Sequence, residues 1–256
     1  MRVILNADDF GMTHEANLGI EKGMLEGCCS QTSVVVNTNY FDEAVEIAER
    51  HGFKDKVGLH INLFDGTPLS SNIKSLKRYT YYDMFRYRPG IVGSYLPIDV
   101  EAIGEELEAQ IRRYLSGGFT LMNIDSHHCA FYDKPVLEAL IPLLKKYGFK
   151  SVRYIGNSYF NGKFSHEFYG RRWIRRMDQT GLAHVNYSSS VRTYERNKSQ
   201  GSPVLAEQDA IEVYVHPVLV EGSLIDDYTG GAHLRESLEH AGLTPDRFMT
   251  SRELWS

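Results

Sequence analysis

Short apolar segments rich in β-branched residues alternate with longer amphipathic segments along most of this chain. The strand candidates are Arg2–Asn6, Thr32–Asn37, Val57–Leu63, Leu121–Ser126, Ser151–Ile155, Ala183–Tyr187 and Ile211–Val215. Strands that alternate with helices form parallel sheets, because each connecting helix must cross back over the sheet. We therefore predict an α/β fold, a (β/α) barrel that is seven-stranded or distorted, with a doubly wound sheet as the alternative.

Two intervening segments have the pattern of helices with one buried face. One apolar stripe recurs at i, i+3 and i+4 spacing and consists of Val100, Ile103, Leu107, Ile111 and Tyr114. Asp99 precedes this stripe and is predicted to cap the helix. A second helix is predicted from Asp133 to Gly148.

The chain has 256 residues and 42% hydrophobic content, which is enough to bury one large core. No linker or repeat divides it, so we predict one domain over residues 1–256. Residues 64–98 and 157–175 fit the alternation poorly and are predicted to be loop insertions. Both are rich in aromatic residues, which could wall a binding site or could pack the loops against the barrel.

Charge and apolar content exclude several classes of protein. A formal net charge of -5 disfavours general nucleic-acid binding. No segment approaches the ~18 apolar residues of a membrane span, and Val3–Leu5 is too short for a signal sequence. Cys28, Cys29 and Cys129 lack the even, spaced pattern of a secreted disulfide scaffold. We predict a cytoplasmic protein without a nucleic-acid partner or membrane span; a homodimer stays open.

Polar residues follow four of the predicted strands at the point where each strand ends. They are Asn6, Asp8 and Asp9; His60 and Asn62; Asp125, His127 and His128; and His216. The carboxyl ends of the strands in a parallel barrel meet on one face, where catalytic residues gather. The sequence therefore predicts that these distant residues are neighbours.

One aspartate and two histidines are ligands that Zn, Mn, Fe, Co or Mg can accept, with positions left for water and substrate. A second aspartate could act as a base, and a further histidine could protonate a leaving group. Each cluster alone also has a structural explanation, such as a turn at Asp8–Asp9 before a helix capped by Thr13. Because adjacent side chains on a strand point to opposite faces, one of His127 and His128 is expected not to be a ligand.

These segments resemble the YdjC-like carbohydrate deacetylases, which include chito-oligosaccharide deacetylases. The resemblance rests on Asn6–Gly11, Gly58–Leu63 with Gly66 and Pro68, Ile124–His127 and Tyr214–Pro217. It implies a barrel of the glycoside hydrolase and deacetylase type, which acts on an acetylated sugar.

The resemblance also implies roles for individual residues. Asp9, His60 and His127 correspond to the metal ligands, Asp8 to the catalytic base and His216 to the catalytic acid. The implied cofactor is a divalent ion, Mg or Zn first, with Mn, Co or Fe as alternatives. The implied reaction is the hydrolysis of an N-acetyl group on an amino sugar or small oligosaccharide, which releases acetate. Asn62, Asp125 and His128 are candidates for contacting the substrate or supporting the ligands.

The chain departs from the family pattern at three positions. Cys129 and Phe131 stand where the family has two further histidines, and Val218 stands where it has glycine after His-Pro. These departures motivate one alternative, a sugar-binding protein that has lost catalysis. A metal-dependent sugar isomerase or epimerase is a second alternative, which the scarcity of glutamate at the strand ends disfavours.

Overall fold

The strands of the sheet are short and almost entirely buried. The computed structural model describes residues 1–86, 97–153, 175–201 and 205–256. Its strands are β1 Arg2–Phe10, β2 Gln31–Val34, β3 Val57–Ile61, β4 Thr80–Tyr81, β5 Met84–Phe85, β6 Asn123–Ser126, β7 Ser151–Val152, β8 Tyr187–Ser190, β9 Ala210–Val215, β10 Pro217–Val220, β11 Ser223–Asp226 and β12 Ala232–His233. The parts of the two predicted insertions at residues 87–96 and 157–174 lie outside the described residues.

Seven of these strands form one parallel sheet in the order β7-β6-β3-β2-β1-β9-β8. The segment before β8 connects the two edges of the sheet. Ala183 exchanges backbone hydrogen bonds with Lys150 and Val152 beside β7, and the chain then pairs with β9 from Tyr187 onward. The seven-stranded parallel sheet curls into a half-barrel, which confirms the predicted α/β, barrel-like fold class. The strand predicted at Ala183–Tyr187 begins later than expected, because its first residues only bridge the edge of β7.

The helices lie between the strands. They are α1 His14–Leu25, α2 Phe41–Arg50, α3 Ser71–Ser75, α4 Pro97–Ser116, α5 Lys134–Tyr147, α6 Val191–Ser199 and α7 Leu234–Ala241. Thr13 caps α1 by accepting a hydrogen bond from the Ala16 amide at 3.1 Å. No helix among the described residues is long and apolar enough to cross a membrane.

The amphipathic pattern of α4 is confirmed, since Ile103, Leu107, Ile111 and Tyr114 are fully buried. The predicted cap at Asp99 is wrong, because α4 already begins at Pro97. Asp99 lies buried within the first turn and forms an ion pair with Arg78. The helix dipole also favours a carboxylate inside the first turn. Sequence alone therefore does not distinguish an aspartate at the N-cap from one within the first turn.

The first predicted insertion, residues 64–98, contains regular elements. It contains α3 and a short hairpin of β4 and β5. Two residues of positive φ, Tyr82 and Asp83, form the turn of this hairpin. The Phe85 amide donates to the Gly66 carbonyl, so the hairpin is joined to the loop that follows β3.

A second, antiparallel sheet of β10, β11 and β12 follows His216. It packs against α1, where a Cβ added to Gly19 would lie 2.5 Å from the Cα of Val218. Glycine is therefore required at this helix position by a close approach of two backbones. Val218 lies within β10, where an extended backbone needs no glycine, and this explains the departure from His-Pro-Gly.

Candidate active site

A bulge in β1 brings the two adjacent aspartates into the site. β1 pairs with β2 through Ala7 and Thr32, and again through Phe10 and Val34, so Asp8 and Asp9 together oppose a single residue of β2. Asp9 has a φ of 71°, which is uncommon for a residue other than glycine. Both carboxylates consequently face the same cluster of polar side chains, although regular alternation would separate them.

Asp9, His60 and His127 converge as predicted. Asp9 Oδ1 lies 3.3 Å from His60 Nε2 and 2.9 Å from His127 Nδ1. Neither contact has hydrogen-bond geometry, so Oδ1 is a buried acceptor with no hydrogen bond among the described residues. Bonds of ~2.0–2.2 Å from one ion place neighbouring ligand atoms ~3.0–3.5 Å apart. The three residues therefore fit a divalent cation.

A buried carboxylate supports His60 from behind. Asp125 Oδ1 lies 2.7 Å from His60 Nδ1, and the Ser33 hydroxyl lies 3.2 Å from the same nitrogen. Burial lowers the pKa of His60, but Asp125, Asp9 and Asp8 outweigh it and raise the pKa to about 10. Because Nδ1 is occupied by Asp125, Nε2 is the nitrogen that faces Asp9.

Arg153 lies beneath the site and was not predicted. Its Nη1 and Nη2 donate to the two carboxylate oxygens of Asp8 at 2.7 and 2.6 Å. Nη2 also lies 2.7 Å from Asp125 Oδ2, and Nε donates to Glu212 at 2.7 Å. Burial would raise the pKa of Asp8, but Arg153 outweighs it and the pKa is lowered. Asp8 is therefore ionised and fixed in orientation.

Carboxylates outnumber guanidinium groups in this interior. Three carboxylates surround one guanidinium, and the carboxylate of Asp9 lies beside them with 17% of its side chain exposed. Burial raises the pKa of Glu212 to about 7, despite its contact with Arg153. Buried charges require partners of opposite sign. Three of these carboxylates raise the pKa of His60, so they favour positive charge at this site, and that is a second, electrostatic reason why the site suits a cation.

His216 approaches the aspartates from the opposite side. Its Nε2 lies 4.0 Å from Asp8 Oδ2 and 4.0 Å from Asp9 Oδ2. The β10–β11 hairpin folds back on His216 and holds its backbone in place, because Asp226 Oδ1 at the end of β11 accepts a hydrogen bond from the His216 amide at 2.9 Å. The Tyr228 ring stacks on the imidazole with centroids 5.2 Å apart and an angle of 23°. His216 keeps 22% of its side chain exposed, so it can meet a ligand.

The remaining predicted residues lie around this centre. Asn62 is buried and holds the loop after β3, donating to the Asp65 carbonyl and accepting from the Phe64 and Asp65 amides. His128 is exposed, has a φ of 48° and packs its ring 4.0 Å from that of His127. Both histidines lie in a 3-10 helix, so strand alternation is the wrong reason for separating them.

The structure explains one of the two positions at which this chain lacks the family's later histidines. Phe131 is fully buried in the core, where it packs as an apolar residue. The side chain of Cys129 lies outside the described residues.

Sequence reasoning missed Arg153, Glu212, Asp65 and Tyr228. Two of them carried a recognisable signal. Arg153 directly follows β7, at the same strand end as the predicted residues, and Glu212 interrupts an otherwise apolar strand. Asp65 and Tyr228 lie on loops, where no periodicity marks a residue that faces the site.

These features place the chain in the class of parallel α/β-barrel proteins that carry an acidic, histidine-containing site at the carboxyl ends of their strands. A family profile described as "YdjC-like protein" matches residues 2–251. The chain belongs to the YdjC-like family.

Relatives at moderate identity extend over most of the chain. A protein of Vibrio vulnificus named carbohydrate deacetylase is 32% identical over 259 residues, covering 98% of this chain and 91% of its own length. A Brevibacillus brevis protein of the same name is 28% identical and covers 92% of this chain and 88% of its own length. An Enterococcus faecalis structure, described as a proposed cellobiose-phosphate cleavage protein, is 19% identical and superposes with a TM-score of 0.70, covering 99% of this chain and 98% of that one.

Proposed function

We propose that this protein is a metal-dependent carbohydrate deacetylase, which hydrolyses the N-acetyl group of an amino sugar or small oligosaccharide. The observation that carries the proposal is the convergence of two carboxylates and three imidazoles around one space. His216 Nε2 lies 4.0 Å from both Asp8 and Asp9, and Asp9 contacts His60 and His127. The relatives named carbohydrate deacetylase support the same reaction.

Asp9, His60 and His127 would hold the cation. A divalent ion bound there would polarise the acetyl carbonyl and lower the pKa of an attacking water. Two imidazoles and one carboxylate suit Zn²⁺, Mn²⁺, Co²⁺ or Fe²⁺, and Mg²⁺ is the hard-ion alternative.

Asp8 is positioned to accept the proton of the attacking water. The ion pair with Arg153 keeps the carboxylate ionised, and the bidentate contact holds it in one orientation. Attack on the amide carbonyl forms a new C–O bond and a tetrahedral intermediate. His216, across the space from Asp8, donates a proton to the amide nitrogen as the C–N bond breaks, so that acetate and a free amine leave.

The proposal is tested by acetate release from N-acetylated amino sugars and their short oligomers. Protein freed of metal by chelation is compared with samples reloaded with Zn²⁺, Mg²⁺, Mn²⁺ or Co²⁺. Restored acetate release with at least one ion, and its loss in Asp9→Asn, is the expected result. Sugar binding without acetate release would instead favour a non-catalytic sugar-binding protein, and isomerised products without acetate would favour an isomerase.

A metal-binding site also predicts a change in thermal stability. Any ion that binds the folded protein and not the unfolded chain raises the melting temperature by mass action. The wild-type protein should melt at higher temperature with added ion and at lower temperature with excess chelator. A His60→Ala variant should show no such dependence.

A further inference from the structure

The two candidate histidine ligands face Asp9 through different nitrogens. His60 presents Nε2 to Asp9, while its Nδ1 contacts the buried Asp125. His127 presents Nδ1 to Asp9 at 2.9 Å, and its Nε2 lies 3.2 Å from Asp65 Oδ2. Each imidazole is thus placed between Asp9 and a carboxylate of its own.

An imidazole binds a metal through the lone pair of one nitrogen while its other nitrogen carries the proton. A carboxylate at that second nitrogen accepts the N–H, fixes the tautomer and orientation of the ring, and makes the metal-binding nitrogen more basic. Asp125 has the position to do this for His60. Asp65 lies at the corresponding second nitrogen of His127, at the longer distance of 3.2 Å.

We propose that Asp65 is a positioning residue that accepts the Nε2–H of His127 and thereby directs Nδ1 of that ring to the cation. This inference rests on the metal-binding part of the proposed function. It assigns a role to a loop residue whose side chain is 56% exposed.

The loop is built to hold this exposed carboxylate in place. The Asn62 carboxamide accepts from the Asp65 amide at 3.1 Å and donates to the Asp65 carbonyl at 2.8 Å. Gly66 follows with a φ of 74°, and a Cβ there would lie 2.5 Å from the Asn37 carbonyl oxygen. The Thr67 amide donates to that same carbonyl. The backbone around Asp65 is therefore fixed on both sides, although the side chain reaches solvent.

The test is the affinity of the whole protein for Co²⁺, measured by competition with a chelator and by the visible absorption of the bound ion. Asp65→Ala should bind Co²⁺ about 10- to 100-fold more weakly than the wild type, as removal of such supporting groups does elsewhere. Asp65→Asn retains an oxygen that can accept the N–H and should recover most of the affinity. Asp55→Ala, which removes an exposed carboxylate just before β3, is the matched control and should bind as the wild type does.

Two further measurements distinguish a positioning role for Asp65 from a general contribution to folding. In metal-free samples Asp65→Ala should melt within about 1 °C of the wild type, because an exposed side chain adds little to stability. Its Co²⁺ spectrum should change in shape, since the geometry of one ligand changes. Equal affinity and identical spectra in wild type and Asp65→Ala would overturn the inference alone. A wild-type protein that binds none of the ions would overturn it together with the proposed function.

Discussion

The two histidines that contact Asp9 are both buried, but the carboxylates that support them lie in opposite surroundings. His60 lies on β3, is 1% exposed and is supported by Asp125, which is fully buried. His127 begins a 3-10 helix, and its supporting carboxylate, Asp65, is 56% exposed on a loop. One half of the site is thus built into the barrel, and the other half is assembled from its loops.

The two halves should therefore contribute differently to the stability of the fold and to the chemical properties of the site. The buried half joins Asp8, Asp125 and Glu212 through Arg153, so its loss should affect folding as well as chemistry. The loop half contains residues that water reaches, so its substitution should change the site while the fold remains.

Arg153→Met should destabilise the protein by about 3–5 kcal/mol, because it leaves three buried carboxylates without their cationic partner. Urea unfolding measures the change. Arg50→Met is the control, since its contact to Glu21 is 3.5 Å long with 59% of the arginine side chain exposed, and it should cost less than about 1 kcal/mol. Equal losses in the two variants would contradict a distinct buried half.

Asp8→Asn should lower kcat by about 100- to 10,000-fold on the best acetylated sugar, because the amide cannot take a proton from water. Co²⁺ affinity should remain within a few-fold of the wild type, since Asp8 is not among the three proposed ligands. Steady-state kinetics and the chelator competition measure the two effects. Full turnover in this variant would remove Asp8 from its role as base.

Glu212→Gln should alter the pH dependence of stability. Burial raises the pKa of Glu212 from 4.5 in the unfolded reference to about 7, so the folded protein binds this proton more tightly. Stability due to this group is present below about pH 4.5 and is lost as pH rises to about 7. The loss is on the order of 3 kcal/mol. Urea titrations from pH 4 to 8 should show this slope in the wild type and in Glu15→Gln, but not in Glu212→Gln.

Tyr228→Ala should lower kcat by about tenfold or less, because His216 loses the ring that stacks on it and becomes less well oriented. Tyr228→Phe keeps the aromatic face and should retain wild-type kcat. Tyr82→Ala removes a tyrosine that is 83% exposed on the β4–β5 hairpin and serves as the control for loss of surface aromatic area. A similar loss in both alanine variants would not fit a specific role for Tyr228.

The barrel half of the site follows closely from the sequence. Strand-length apolar segments place Asp9 and His60 at the same edge of the sheet, because the parallel strands β1 and β3 share a direction. The same rule identifies Arg153 once β7 is known to end at Val152, but the strand predicted at Ser151–Ile155 places Arg153 inside the strand instead of at its end. Periodicity does not predict the bulge at Asp9, because regular alternation places the side chains of Asp8 and Asp9 on opposite faces of the sheet.

The loop half depends on contacts that no local pattern encodes. Asp65 meets His127 across 62 positions of chain, through a turn shaped by Asn62 and Gly66. Tyr228 reaches His216 only because the β10–β11 hairpin folds back on the strand end. Such pairings are set by tertiary structure, and the aromatic and acidic residues concerned are common on any protein surface.

The contact between α1 and β10 links the two sides of the site. α1 follows the strand that carries both aspartates, and β10 continues directly from His216. With no side chain at Gly19, the two backbones touch, and a Cβ there would lie 2.5–2.6 Å from atoms of Pro217 and Val218. The close approach at Gly19 therefore fixes the distance between α1 and β10, and β10 is the strand that continues directly from His216.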